Sequence, residues 1–384
     1  MLGLLIFLPT LFLVPHYAHL LAIPYLLVTQ YDKIKPLLRG DLSGITTNKV
    51  LLFLILFCVL AMLNNVFHLP EEYSLGTIMP YYILTILTYF IAVSLTRNDL
   101  KVLSLLIGIE AVVMIFEFFM GVNTIFTFHP KYEEFTNETL LYFTRPFGLS
   151  DNSSGMALKL MVGLLLLDIC KLRSRLYNVV FLLILVGIII SFNRTVMVAL
   201  LCYYAFKFAG MVFFTPQLAK TQLKVFVVVA VASIAALIYL SIFQETILMQ
   251  VTKGSGNIEL SGRDAIWSFY MDFLANNPLF GNGSYKLAPS GMGDRVYYHA
   301  HNSFLQILGN HGLVLGLLYF GFVLSQVRMW NLLVVGIIFI FSMAQYGIFW
   351  GISTFDIFLF LVLFNKDLRA LSIRDKGSTG SDSQ

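Results

Sequence analysis

Apolar residues dominate this chain in long runs separated by short polar stretches. The runs fall near 49–67, 77–95, 102–120, 154–170, 177–192, 195–213, 225–243, 302–324, 330–348 and 350–365. Each is close to the length at which an α-helix crosses a bilayer core of roughly 30 Å. A membrane barrel would instead show short segments of alternating polarity. The pattern therefore predicts an all-α fold, a polytopic integral membrane helical bundle. Residues 1–30 form another apolar segment, broken by Pro9, Pro15 and Pro24. They have the length for one full span or for a hairpin of two short helices, so the prediction is 11 or 12 transmembrane helices.

Two polar segments interrupt the runs at length, near 121–153 and 244–301. Long loops in a compact protein tend to carry function. The chain divides accordingly. Residues 1–243 hold about eight or nine transmembrane helices and the 121–153 loop. Residues 244–301 form a large loop, 302–365 hold three further transmembrane helices, and 366–384 form a polar tail expected to be disordered. Inside the large loop, Arg263 to Asn276 places Ile266, Phe269, Tyr270 and Phe273 on one helical face. That spacing predicts an amphipathic helix at the membrane interface, stopped by Asn277-Pro278. No internal repeat is visible.

Composition agrees with this layout. Only 12% of residues are charged, against about 25% in soluble domains, and 58% are hydrophobic. The net charge of +4 carries no nucleic-acid signature; the placement of charge says more. Of the 25 Lys and Arg, 17 fall on the side that holds residues 31–48 and the C-terminal tail, 7 on the side of the two long loops, and Lys159 within a span. Basic residues near span ends stay cytoplasmic, so both long loops are expected in the periplasm. Residues 1–30 lack a basic leader, which argues against a cleaved signal peptide. Cys58, Cys170 and Cys202 sit in or beside apolar runs, as small hydrophobes rather than a disulfide framework.

Several residues could carry chemistry. Arg263 opens the amphipathic segment, and Arg194 stands at the junction of two apolar runs. Each is either part of a clamp for phosphate oxygens, to which a guanidinium fork is suited, or an interfacial arginine snorkelling to water. Arg145 and Arg295 are weaker candidates on the same side. His299 and His301 precede an apolar helix. Three roles are open to them: general acid or base, metal binding, or a polar helix start capped by Asn302 or Ser303. No third metal ligand stands at a typical spacing. Glu110, Glu117 and Asp356 lie in apolar spans, where carboxylates suggest ion or proton pathways. Gly281-Asn282-Gly283 reads as a turn.

The ordered set Gly262-Arg263-x3-Trp267, Asn277-Pro278-Leu279-Phe280-Gly281-x-Gly283 and His301-Asn302-x9-Gly312 resembles the bacterial O-antigen polymerase and O-antigen ligase family of membrane glycosyltransferases. The resemblance extends loosely to Ser191–Thr195 and to Arg145-Pro146-Phe147-Gly148. In that family the histidine motif continues to a second glycine three residues on; here it comes four residues on, at Gly316. The resemblance implies an inverting, metal-independent transfer of glycan from undecaprenyl pyrophosphate to a sugar hydroxyl at the periplasmic face of the inner membrane. It implies His301 as general base and Arg194 and Arg263 as pyrophosphate ligands, with Arg145, His299, Asn302 and Arg295 as accessory candidates and no cofactor. The expected partners are the lipid-linked donor, a lipid-linked repeat unit or lipid A-core as acceptor, the bilayer and an accessory chain-length regulator protein, but no nucleic acid. The first expectation is a repeat-unit polymerase. The alternatives are the ligase that moves finished polymer to lipid A-core and, from a different class, a lipid-linked oligosaccharide flippase or transporter.

Overall fold

The computed structural model describes residues 3–5, 22–29, 31, 35, 48–68, 75–135, 145–172, 174–214, 263–281, 299–349 and 353–370. The expected span at 225–243, the choice of one or two spans in 1–30, the tail beyond 370 and Arg295 lie outside them. Within them the chain is helical: α1 (Ala22–Thr29), α2 (Lys49–His68), α3 (Leu75–Ser94), α4 (Arg97–Met120), α5 (Ser153–Ile169), α6 (Arg175–Ile190), α7 (Arg194–Phe214), α8 (Arg263–Asn276), α9 (Ser303–Ser325), α10 (Leu332–Ser342) and α11 (Thr354–Phe364). An isolated antiparallel bridge joins Val122 to Glu134. Three helices, α2, α4 and α9, are long and apolar enough to cross a membrane, and shorter apolar helices accompany them. The all-α polytopic expectation holds.

Helices α5 and α11 form the centre. From Met156 to Leu167 every residue but the half-buried Leu158 is buried, and Phe355 to Leu363 is an unbroken buried run. A helix apolar all round belongs in the interior of a bundle. Around them, α3 packs on α11, α4 and α6 pack on α5, and α10 lies between α7 and α11. Lipid tails are as apolar as leucine, so these helices are held by close packing rather than by water exclusion. Small residues permit it: a β-carbon on Gly163 of α5 would lie 2.7 Å from Ile107 Cγ2 of α4. The outward faces remain apolar, as Leu56, Leu60 and Leu63 on α2 and Val179, Leu182 and Ile189 on α6 show. Apolar faces of this kind suit contact with lipid.

The last two spans are shorter than the apolar runs suggest. The runs 330–348 and 350–365 yield helices of 11 residues each, which rise about 16 Å. Polar side chains intercept the backbone between them. The Ser303 hydroxyl donates to the Gln345 carbonyl (3.0 Å) and accepts from the amides of Gly347 (3.0 Å) and Ile348 (3.3 Å). The Asp356 carboxylate accepts the Phe349 amide (2.7 Å) and the Ser353 hydroxyl (3.0 Å). Residues 343–349 thus run as a turn rather than a helix. Irregular backbone in a membrane protein is tolerated where it lines a cavity, and this turn lines one.

Candidate functional site

Helices α5, α8, α9 and α11 all begin at the end of the bundle that carries the 121–135 loop. Their N-termini meet around a cavity of about 600 Å³. Asn152 to Gly155, Arg263, His301 and Ser353 line it, so the starts of four helices gather at one place. The positive end of the helix dipole makes each start favourable to an anion, although Asn152, Asn302 and Ser353 already accept first-turn amides of α5, α9 and α11. Lys131, Arg145 and Arg263 add three cationic side chains against one lining carboxylate, Asp151. Volume and charge together suit a small anionic ligand or the anionic part of a larger one.

His301 stands on the wall formed by α8 and α9. Its backbone takes a left-handed φ of 49°, a conformation that costs a residue with a β-carbon about 1–2 kcal/mol and persists where neighbours enforce it. Asn302 caps α9 by accepting the amides of Phe304 (2.9 Å) and Leu305 (3.1 Å). The Ala300 amide donates to Gln306 Oε1 (2.7 Å), and the Ala300 carbonyl accepts from Trp267 Nε1 (2.8 Å). The His301 amide donates to His299 Nδ1 (3.2 Å), and the two imidazoles stack edge to face with centroids 4.0 Å apart. Burial, with the Arg263 guanidinium nearby, holds the His301 imidazole below its usual pKa, partly offset by a side-chain hydrogen bond with Gln345. The buried His301 Nδ1 has no hydrogen-bond partner among the described residues.

Arg263 is fixed by a bond from its Nη1 to the Ala344 carbonyl (2.7 Å). It joins α8 to the 343–349 turn while its fork lines the cavity. The helix it opens behaves as its pattern predicts. Ile266 and Tyr270 are buried, and Phe269 and Phe273 pack beside them against Ala300 and Leu305.

The facing wall is the loop between α4 and α5. The Glu117 carboxylate, at the end of α4, accepts the amides of Gly148 (2.6 Å) and Ile125 (3.2 Å). It thereby fixes the segment that carries Arg145. About two turns deeper, Glu110 pairs with the buried Lys159 and accepts the Ser150 hydroxyl (3.3 Å). Asp356 is engaged in the turn before α11. The three intramembrane carboxylates thus act as anchors of loop and helix, and none lines the cavity.

Of the residues singled out in the sequence, the structure brings Arg145, Arg263, His299 and His301 together at the cavity. Asn302 caps the helix that follows. Arg194 begins α7 at the same end of the bundle but is not among the residues lining the cavity. Sequence reasoning missed Lys131, Asp151, Gln345 and Tyr346. Lys131 could have been noticed as a basic residue in the long 121–153 loop; Gln345 and Tyr346 lie inside an apolar run that reads as helix. Among the described residues no group of three His, Cys, Asp or Glu is arranged to hold a metal ion.

The NPLFG turn has a mechanical role. α9 is broken at Gly312, whose φ is 73°. The amides that the break exposes are taken by the turn: Leu313 donates to the Pro278 carbonyl (2.7 Å) and Val314 to the Leu279 carbonyl (3.4 Å). From α2, Asn64 Nδ2 donates to the Phe280 carbonyl (2.9 Å). Two of the sequence motifs are therefore one packed unit, with α8 clamped on the first half of α9.

Comparison with known families places this geometry. Residues 147–320 match the family model described as O-antigen ligase. The stretch begins at Phe147, just after Arg145, and runs through Arg194, Arg263, His299 and His301 to beyond Gly312, and it bears out the resemblance read from the motifs. No curated protein matches the chain.

Proposed function

We propose that this member of the O-antigen polymerase and ligase family is a glycosyltransferase whose reaction takes place in the cavity between α5, α8, α9 and α11. The observation that carries the reading is that His301 and Arg263 line one cavity at the meeting point of four helix N-termini, with burial and the guanidinium holding the imidazole below its usual pKa. The donor is a glycan on undecaprenyl pyrophosphate at the periplasmic face. His301 removes the proton of an acceptor sugar hydroxyl as its oxygen bonds to the anomeric carbon. The bond from that carbon to the pyrophosphate breaks with inversion, and its electron pair leaves on the phosphate oxygen. Arg263 meets the developing charge, with the helix N-termini in support. Arg194, Arg145 and Lys131 supply further positive charge at the same end of the bundle. Arg263 serves both partners: it favours the anionic leaving group and, after burial, disfavours protonation of the base.

The preferred activity is polymerisation of lipid-linked repeat units. Transfer of finished polymer to lipid A-core uses the same chemistry, and the family match does not separate the two. A transporter has less support, because Glu110, Glu117 and Asp356 are committed to structural bonds. A deletion strain decides among them by gel analysis of lipopolysaccharide and of lipid-linked intermediates. Loss of a polymerase leaves surface lipopolysaccharide with a single repeat. Bare core with accumulated long lipid-linked polymer would reject polymerase in favour of ligase. Single repeats trapped on the cytoplasmic side would indicate a flippase.

A further inference from the structure

Gln306 lies one turn inside α9, fully buried, and its amide oxygen accepts two hydrogen bonds, from the Ala300 amide (2.7 Å) and from the Tyr270 hydroxyl (3.0 Å). Its amide nitrogen donates to Asn310 Oδ1 (3.2 Å). We propose that Gln306 is the positioning residue that sets the His301 imidazole for proton removal, acting through the Ala300 peptide. The inference rests on the reading of His301 as the base.

Ala300 is the residue between the two histidines, and its backbone is held at both ends. Gln306 takes the amide, and Trp267 of α8 donates to the carbonyl at 2.8 Å. The next residue, His301, then has to adopt its left-handed φ of 49°. A residue with a β-carbon leaves that region unless the flanking peptides are fixed. The amide orientation of Gln306 follows from chemistry, since the Ala300 amide is an obligatory donor and needs the oxygen opposite it. The arrangement is also built into the packing. Tyr270 is fully buried and its ring lies over Gly309, where a β-carbon would come within 2.7 Å of Cδ1. α8 therefore sits close enough to α9 for the Tyr270 hydroxyl to reach Gln306. Without the Gln306 oxygen, the Ala300 amide is a buried donor with nothing to bond, which costs more than the bond contributes. The peptide would turn to find another acceptor and carry His301 with it. Gln306 does not line the cavity, so its action on the reaction is indirect.

The test uses the purified full chain with lipid-linked repeat units extracted from its own deletion strain. Gln306→Met keeps length but removes acceptor and donor. It should lower kcat on the order of 100-fold, the effect of displacing a reacting group by about 1 Å, with KM little changed. The acidic limb of its pH profile should move upward, toward the ordinary imidazole value of about 6.5, as His301 swings away from Arg263 and gains solvent. Gln306→Glu should recover most of the rate. A carboxyl buried there stays protonated, so its carbonyl accepts from Ala300 and its hydroxyl donates to Asn310. Tyr270→Phe, which leaves the Ala300 bond intact, should be milder than Gln306→Met. A wild-type kcat in Gln306→Met would overturn the proposal. So would a loss of kcat with an unmoved acidic limb and no recovery in Gln306→Glu, which would mark a folding residue. His301→Ala is run alongside: if it stays active, the assignment of the base fails, whereas an inactive His301→Ala beside a fully active Gln306→Met defeats the positioning role alone.

Discussion

Gly281 and Gly312 meet backbone to backbone. A β-carbon on Gly281 would lie 2.7 Å from the Gly312 amide nitrogen, and one on Gly312 would lie 2.1 Å from the Leu279 carbonyl oxygen. Both residues have positive φ, 64° and 73°. The contact joins the turn after α8 to the break in α9, and so ties the wall that carries Arg263 to the one that carries His301.

Because both space and backbone angle are used up, Gly281→Ala and Gly312→Ala should each lower stability by about 2 kcal/mol or more. Thermal unfolding in detergent measures it. Gly321→Ala, in the second half of α9 with nothing within 4 Å of the added carbon, should be neutral or slightly stabilising, since alanine favours helix over glycine by about 1 kcal/mol. Equal melting of all three variants would count against the clasp.

The two histidines should separate by mutation. His301 has the buried, unpartnered Nδ1, whereas His299 Nδ1 already accepts the His301 amide. His301→Ala should abolish product while the protein still inserts and expresses. His299→Ala should reduce the rate by roughly tenfold, in the range of a lost supporting contact of about 1.4 kcal/mol. A glycosyl-transfer assay with lipid-linked donor measures both. Equal tolerance of both changes would remove histidine from the mechanism.

Arg263→Lys keeps charge but loses the fork. In this protein the loss is double, because one nitrogen of the fork is committed to the Ala344 carbonyl. Activity should fall on the order of 100-fold, as expected when an oriented stabiliser of transition-state charge is removed. Arg194→Lys should also impair transfer. Because Arg194 is not among the residues that line the cavity, the expected loss is smaller, on the order of tenfold. Wild-type rates in both variants would argue against a clamp.

The pH profile follows from the depressed pKa of His301. The base works when unprotonated, so a lowered pKa extends activity below the ordinary imidazole value of about 6.5, and activity falls once pH drops through the lowered value. Arg263→Gln removes one of the two causes of the depression, leaving burial. The acidic limb should then move to higher pH, visible in kcat/KM even though the rate itself is low. A limb that stays in place would mean that another group titrates.

Topology is open to direct measurement. The basic asymmetry predicts 244–300 and 121–153 in the periplasm and the C-terminus in the cytoplasm. Alkaline phosphatase fused after Gly256 or Gly291 should be active, and after Ser372 inactive. Activity after Ser372 would reverse the orientation.

The sequence by itself determined the helical membrane class, because a helix in lipid must be apolar for most of its length and leaves that run in plain view. It also determined α8, whose apolar residues recur at helical spacing, and it pointed to His301 and Arg263 through their ordered motifs. What tertiary structure alone decided is the convergence. Lys131, Arg145 and Asp151 come from the loop between α4 and α5 and Gln345 and Tyr346 from the distant 343–349 turn, and no local pattern marks the two segments as neighbours. The same is true of the carboxylates. In the sequence Glu110, Glu117 and Asp356 are charges in greasy runs, open to a transport role; in the fold their partners Lys159, Gly148 and Phe349 show them to be anchors. The shortness of α10 and α11 was hidden for a related reason. Hydropathy records that a residue is apolar, whereas the turn at 343–349 depends on a serine 40 residues earlier in the chain and a carboxylate beyond it. Composition follows the solvent around the chain, and the site follows from which distant polar groups find each other inside it.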